Sequence, residues 1–93
     1  MRYPDSITIR KVKKWPWSDF RGMIAFIHPL FGEMGTIRVG RKWIKFATGG
    51  WSGNEEIIGA MRANYGLWSL YWESSHRGGL HVFHAPGKDQ MPR

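Results

Sequence analysis

The sequence predicts an α+β domain: a mainly antiparallel sheet of about five to six strands with one short helix packed on one face. Three observations lead there. Short apolar or alternating runs recur along the chain, Gly, Pro, Asn and Ser clusters punctuate them, and a single stretch from Ser52 carries apolar residues at helical spacing. At 93 residues the chain is one domain, 1–93, with an ordered core over about 6–85 and a polar, proline-punctuated tail at 86–93 that is expected to fray.

Ser6 to Lys14, SITIRKVKK, alternates from Ile7 to Val12 between Pro4 and Pro16 and is expected to be the first strand. Trp15 to Gly22 is a connection, because Pro16 has no N–H for a ladder and biases Trp15 away from helix. Met23 to Ile27, MIAFI, is apolar on both faces and is expected to be a central strand ending at His28-Pro29. Thr36 to Ala47 is expected to form a hairpin about a two-residue Gly40-Arg41 turn. Val39 then faces Lys42, Arg38 faces Trp43, Ile37 faces Ile44 and Thr36 faces Lys45. One hairpin face then carries Ile37, Val39, Ile44 and Phe46, and the other carries Thr36, Arg38, Trp43 and Lys45.

The stretch Thr48 to Glu56, TGGWSGNEE, resembles a glycine-rich phosphate loop opening onto a helix. Glu55 and Glu56 occupy the field that a phosphate would need, and Ser52 with Glu55 has capping-box spacing, so the stretch is read as a turn and a helix start. The helix runs to about Asn64, with Asn54, Ile57, Ile58, Met61 and Tyr65 on one stripe and Glu55, Gly59 and Arg62 opposite. Asn64 and Gly66 supply its stop. Leu67 to Ser74 and Gly79 to Ala85 are expected to be two strands joined by the turn Ser74-Ser75-His76-Arg77-Gly78, with Trp68, Leu70 and Trp72 sharing a buried face.

Fourteen Lys and Arg against seven Asp and Glu give a net charge of +7, the electrostatic footprint of a phosphate-contacting protein. No cysteine is present, so disulfides and thiolate metal sites are excluded, and the makeup suits a reducing compartment. No apolar run is long enough for a membrane span, which leaves the cytoplasm as the expected location. His81 and His84 are three apart on an expected strand, point to opposite faces and make no metal pair. Neither a metal nor a cofactor is expected.

The best nuclease set, Glu73 with His76, His81 or His84, lacks a paired-carboxylate signature, and no GxSxG supports a serine triad. An enzyme is therefore not expected.

Rings and cations interleave in two places. Trp15 and Trp17 flank Pro16 beside Lys13 and Lys14, and Trp43 sits among Arg38, Arg41 and Lys45. Bases stack on rings while Lys and Arg neutralise phosphates, so these residues, with Arg77 in the last turn, are the candidate contacts for nucleic acid or another partner. A solvated sheet face, in which Arg38 merely covers Trp43 across the hairpin, explains the same pattern and stays open.

RKWIKFATGGWSGNEEII and WSLYWESSHRGGLHVF resemble a family of small proteins encoded by tailed bacteriophages and prophages, most specifically in TGGWSGNEEI and SLYWESSHRGG. The resemblance brings no catalytic residues. It implies a viral protein made inside a bacterium, where small basic proteins bind host machinery or neutralise host defences; together with the ring-and-cation pattern, the expectation is action in the bacterial cytoplasm on nucleic acid or a host nucleoprotein complex. A protein inhibitor that occludes a host enzyme, with Glu55 and Glu56 as contacts, is the alternative, as is an oligomer that sequesters a nucleotide signal at Arg77 or Arg41. The sheet edges leave a homodimer open.

Overall fold

The computed structural model describes residues 4–32 and 35–84. Ser6–Lys13 form α1, Phe20–Ile27 α2, Thr36–Val39 β1, Trp43–Ala47 β2, Ser52–Ala63 α3, Tyr65–Tyr71 α4, Trp72–His76 β3 and Leu80–His84 β4, and single 3-10 turns precede and follow α2. The fold is α+β, with an antiparallel sheet of four strands in the order β1-β2-β4-β3 and four α-helices among the described residues. The expected five to six strands and single helix are thus corrected: three stretches read as strand, or partly so, are helical.

α1 replaces the first expected strand. The Asp5 carboxylate accepts the Thr8 N–H at 2.7 Å, which caps the first turn, and Arg10, Lys11 and Lys13 crowd the last turn, where the helix dipole favours cations. Ile9 and Val12, three apart, face inward, while Ile7 stays 73% exposed. The alternation that suggested a strand therefore has one of its members in water.

α2 replaces the expected central strand at Met23 to Ile27. Phe20, Met23, Ile24 and Ile27 are all buried and form one helical stripe. The pattern becomes readable only when the window begins at Phe20.

α4 takes up much of the Leu67 to Ser74 stretch. Asn64 caps it by accepting the Leu67 N–H at 3.4 Å, so the chain turns directly from α3 into α4 and Gly66 stops nothing. Leu67 and Tyr71, four apart, go inward, whereas Leu70 and Trp72 are exposed, contrary to the expected buried face. Trp68 and Trp72 stack at 5.8 Å between centroids, as residues one turn apart.

In the β1–β2 hairpin the tip is Arg41-Lys42. Gly40 N–H donates to Trp43 O at 2.8 Å, Val39 pairs with Ile44, Arg38 with Lys45, Ile37 with Phe46 and Thr36 with Ala47. This displaces the expected turn by one residue and the pairing by two. The observed register matches two apolar pairs, where the expected one would set Val39 against Lys42. A two-residue slip leaves the division of faces intact.

α3 starts and ends within a residue of expectation, and Asn54, Ile57, Ile58 and Met61 are buried on one stripe. Tyr65 falls beyond the helix end and is 77% exposed. The N-cap position belongs to Trp51 instead of Ser52, and Glu55 turns its carboxylate to the Thr48 hydroxyl.

The core lies between the helices and one sheet face. Phe83 at its centre meets Phe46, Phe20 and Trp68 at 5.2–5.7 Å, joining β4 to β2, α2 and α4. Two buried asparagines tie the connections. Asn64 Nδ2 donates to Val12 O and Trp15 O, closing the end of α1, and Asn54 binds the Gly32 peptide and Thr48 O.

Candidate nucleic-acid interface

Alternation along the strands sends Ile44, Phe46 and Phe83 into the core and their neighbours outward. The outward set is Thr36, Arg38, Trp43, Lys45, His76 and His84, with Ser74, Leu80 and Val82 half-buried between them. None of these is buried, so no described helix covers this face.

Arg38 and Lys45 stand directly opposite each other on adjacent strands. Like charges in that relation repel and weaken a hairpin, and neither side chain has a hydrogen bond or ion pair among the described residues. With Thr36, Ala47 and Leu80 they line a shallow depression of about 190 Å³. Trp43, 45% exposed, stands next to this pair and meets the His84 ring edge-on at 5.6 Å. Two unneutralised cations beside a half-exposed indole on an open sheet offer an anion a charge partner and a base a stacking surface.

The turn adds to that end of the sheet. Arg41 and Lys42 are exposed at the tip, and Arg41 O accepts from Arg21 Nη2 at 2.9 Å, which brings a guanidinium from α2 to the hairpin. Sequence reasoning missed Arg21 and Lys42. Lys42 was legible from its place between Arg41 and Trp43, but nothing in the spacing links residue 21 to residue 41.

The other candidate residues lie elsewhere. Lys13 and Lys14 end α1 on the helical side of the molecule. Trp15 is half-buried against Phe26 at 5.3 Å, with Lys11 Nζ over both rings and its Nε1–H bonded to Asp19, so packing accounts for it. Trp17 is 46% exposed beside α4, where Tyr71 Oη donates to Trp17 O. Arg77 sits in the β3–β4 turn, at the opposite end of the sheet from Arg41. The nine candidate residues therefore divide among three places: Arg38, Arg41, Trp43 and Lys45 share the sheet surface, Lys14 and Trp15 line a separate cavity with Arg10 and Lys11, and Arg77 stands apart.

The glycine-rich Thr48–Trp51 loop meets the Gly78-Gly79 turn, Thr48 N–H donating to Gly79 O at 3.0 Å. Gly79 has φ +82° and no room for a β-carbon beside Thr48 Oγ1. The loop is no anion cradle: Gly50 N–H bonds inward to Thr48 Oγ1 at 3.3 Å, and the Glu55 carboxylate occupies the helix start.

His84 lies on the outer face and His81 on the inner one. His81 is held below its ordinary pKa of 6.5 by burial first, then by Arg62 and His76, against the opposing pull of Glu55. A histidine with a lowered folded pKa stabilises the fold fully above pH 6.5 and loses that contribution as pH falls through the folded value. The melting temperature is expected to drop on acidification through this range, and to drop less in His81→Gln. Equal pH profiles for the two proteins would refute the assignment.

No helix among the described residues is long and apolar enough to cross a membrane. No protein-family model, curated protein or solved structure matches the chain.

Proposed function

We propose that this is a small basic binding protein whose open sheet face takes single-stranded nucleic acid, free or within a nucleoprotein complex, in the cytoplasm of a bacterium that carries a phage. The observation that carries the reading is the directly opposed Arg38–Lys45 pair beside the half-exposed Trp43. A protein gains nothing in stability from that repulsion, while a polyanion lying across the strands would relieve it. The phage setting rests on the TGGWSGNEEI and SLYWESSHRGG likeness alone.

The test is a titration with oligo(U) and oligo(dT), followed by tryptophan fluorescence over a range of salt. Arg38, Arg41, Lys42 and Lys45 as four phosphate partners give a log-log salt slope of about −3. Trp43→Ala should cost about 1 to 3 kcal/mol of binding and leave the slope unchanged, because stacking releases no counterions. Arg38→Ala or Lys45→Ala should each flatten the slope by about one. Lys45→Glu is the sharpest variant. It replaces a repulsive cross-strand pair with an attractive one, so it should stabilise the hairpin by about 0.2 to 1 kcal/mol while weakening binding more than Lys45→Ala does. Absence of binding at low salt would sink the reading.

One observation favours a protein partner instead. Tyr65, Leu70 and Trp72, each more than 40% exposed, leave a ring-rich surface on α4 and the start of β3, of the kind enriched at protein interfaces. Stoichiometric, nuclease-resistant capture of a host protein that Trp72→Ala abolishes would support that alternative, a host-enzyme inhibitor.

A further inference from the structure

The outward stripe of α3, Glu55, Gly59 and Arg62, faces His81 of β4, and with Ile58 these residues line a pocket of about 160 Å³. Each polar group is held from outside the pocket. Thr48 Oγ1 donates to Glu55 Oε2 at 2.9 Å. Ser75 Oγ, which accepts the Trp72 Nε1–H at 2.8 Å, lies 2.8 Å from His81 Nδ1. The Arg62 guanidinium lies 5.0 Å over the Trp68 ring. His81 Nε2 has no partner among the described residues, and the His81 ring lines the pocket.

Gly59 adds a second, independent observation. Glycine inside a helix is destabilising relative to alanine, and here no close neighbour demands it: a β-carbon at Gly59 would meet nothing within 4 Å. Gly59 lines the pocket without a side chain of its own, so a large side chain there would project into the space between Glu55 and Arg62.

We propose that this pocket is a metal-independent cleavage centre for RNA phosphodiesters, with Glu55 as general base, His81 as general acid and Arg62 as the phosphate partner. The substrate class rests on the nucleic-acid reading above. The nucleophile is the substrate's own 2′-hydroxyl. Glu55 takes its proton, the O2′–P bond forms, the P–O5′ bond breaks, and the His81 imidazolium gives its Nε2 proton to the departing O5′. Arg62 balances the charge gathering on the non-bridging oxygens. The products are a 2′,3′-cyclic phosphate and a 5′-hydroxyl; Glu55 ends protonated and His81 neutral, and exchange with solvent restores both. DNA, lacking the 2′-hydroxyl, is not a substrate.

The groups facing His81 are Glu55 and Arg62 from α3 and Ser75 from β3, while His76, on the other face of the sheet, acts on it only through its charge. Because burial first, then Arg62 and His76, lower the His81 pKa against the opposing pull of Glu55, the charged acid is lost as pH rises, and the rate should fall with it.

The experiment incubates a mixed-sequence RNA oligonucleotide and its all-deoxy counterpart with the full chain in EDTA, from acidic to neutral pH. The expected result is RNA cut to 2′,3′-cyclic ends and DNA left intact, with Glu55→Gln and His81→Gln each losing about 100-fold or more. Gly59→Leu should melt no lower than the wild type, since it replaces a helical glycine, yet lose cleavage by filling the pocket. The proposal is overturned if the RNA survives the wild-type protein, if His81→Gln cuts it equally well, or if the DNA is cut too. Binding of the same RNA at low salt is measured in parallel. Binding without cleavage would overturn the centre and leave the sheet-face reading standing. Cleavage of a dinucleoside monophosphate without binding of longer strands would do the reverse.

Discussion

Replacing Asn54 with alanine is expected to destabilise the protein by about 3 to 5 kcal/mol, a large part of the roughly 5 to 14 kcal/mol available to a domain of this size. Asn54 is fully buried, and its amide meets three backbone groups: Oδ1 accepts the Gly32 N–H at 2.9 Å, while Nδ2 donates to Gly32 O at 2.6 Å and Thr48 O at 2.9 Å. Truncation leaves all three unpaired away from water, at about 1 to 3 kcal/mol each before relaxation. Gly35 packs so closely against the amide that a β-carbon there would collide with Nδ2. Thermal melting should show a fall of about 12 to 40 °C. Asn54→Asp separates lost hydrogen bonds from lost volume: it keeps the shape, but sets a carboxylate against two carbonyl oxygens. That carboxyl's folded pKa is raised, so its stability is greatest below the unfolded pKa and falls as pH rises through the folded one. A loss under 1 kcal/mol in Asn54→Ala would mean that the Gly32 and Thr48 segments are not tied through this side chain.

The same residue marks how far the sequence could be read. Asn54 was placed on the buried stripe of α3 by its spacing from Ile57, Ile58 and Met61, but its partners at Gly32 and Thr48 belong to no local pattern. α3 was legible because its stripe fits only one period over a long stretch. α1 and α4 were not, because Ile7/Ile9 and Trp68/Leu70/Trp72 satisfy a two-residue alternation as well as Ile9/Val12 and Leu67/Tyr71 satisfy a helical one. In α1 and α4 the ambiguity is broken from outside: Asn64 binds the end of α1 and caps the start of α4, a contact between residues 52 apart. Tertiary contacts of that reach override short-range preference. Along the hairpin the turn was misplaced, yet Arg38, Trp43 and Lys45 still fall on one face, since a slip of two residues preserves parity. The basic sheet surface was therefore readable in composition and not in register. The pocket at His81 was not readable as a site: positions 55, 62 and 81 are joined by the seam between α3 and β4 and by no spacing rule, though the Glu55, Gly59, Arg62 stripe was seen.

Phe83→Ala is expected to cost about 3 to 5 kcal/mol and to act on the sheet as a whole. Phe83 has no exposed surface, and its ring meets three others, Phe46 at 5.2 Å, Trp68 at 5.3 Å and Phe20 at 5.7 Å. Removing it takes away the buried transfer energy of the ring, the edge-to-face contacts with Phe46 and Trp68, and the filling of a space walled by β2, α2 and α4. Phe20, held by a parallel stack on Tyr71 at 4.4 Å, is poorly placed to move into the gap, which puts the cost toward the upper end of that range. β4 is an interior strand, paired with both β2 and β3, so loosening it should weaken two ladders at once. Urea titration should show a lower midpoint, and near-ultraviolet circular dichroism a weakened aromatic signal in the fraction that stays folded. Phe83→Leu, which refills part of the volume, should recover about half of the loss or more. The outward side chains of the sheet do not touch Phe83, so whatever remains folded should keep its binding surface, with an apparent affinity lowered only in proportion to the unfolded fraction. A Phe83→Ala protein that melts like the wild type would place β4 outside the core, and with it the argument for which sheet face is open.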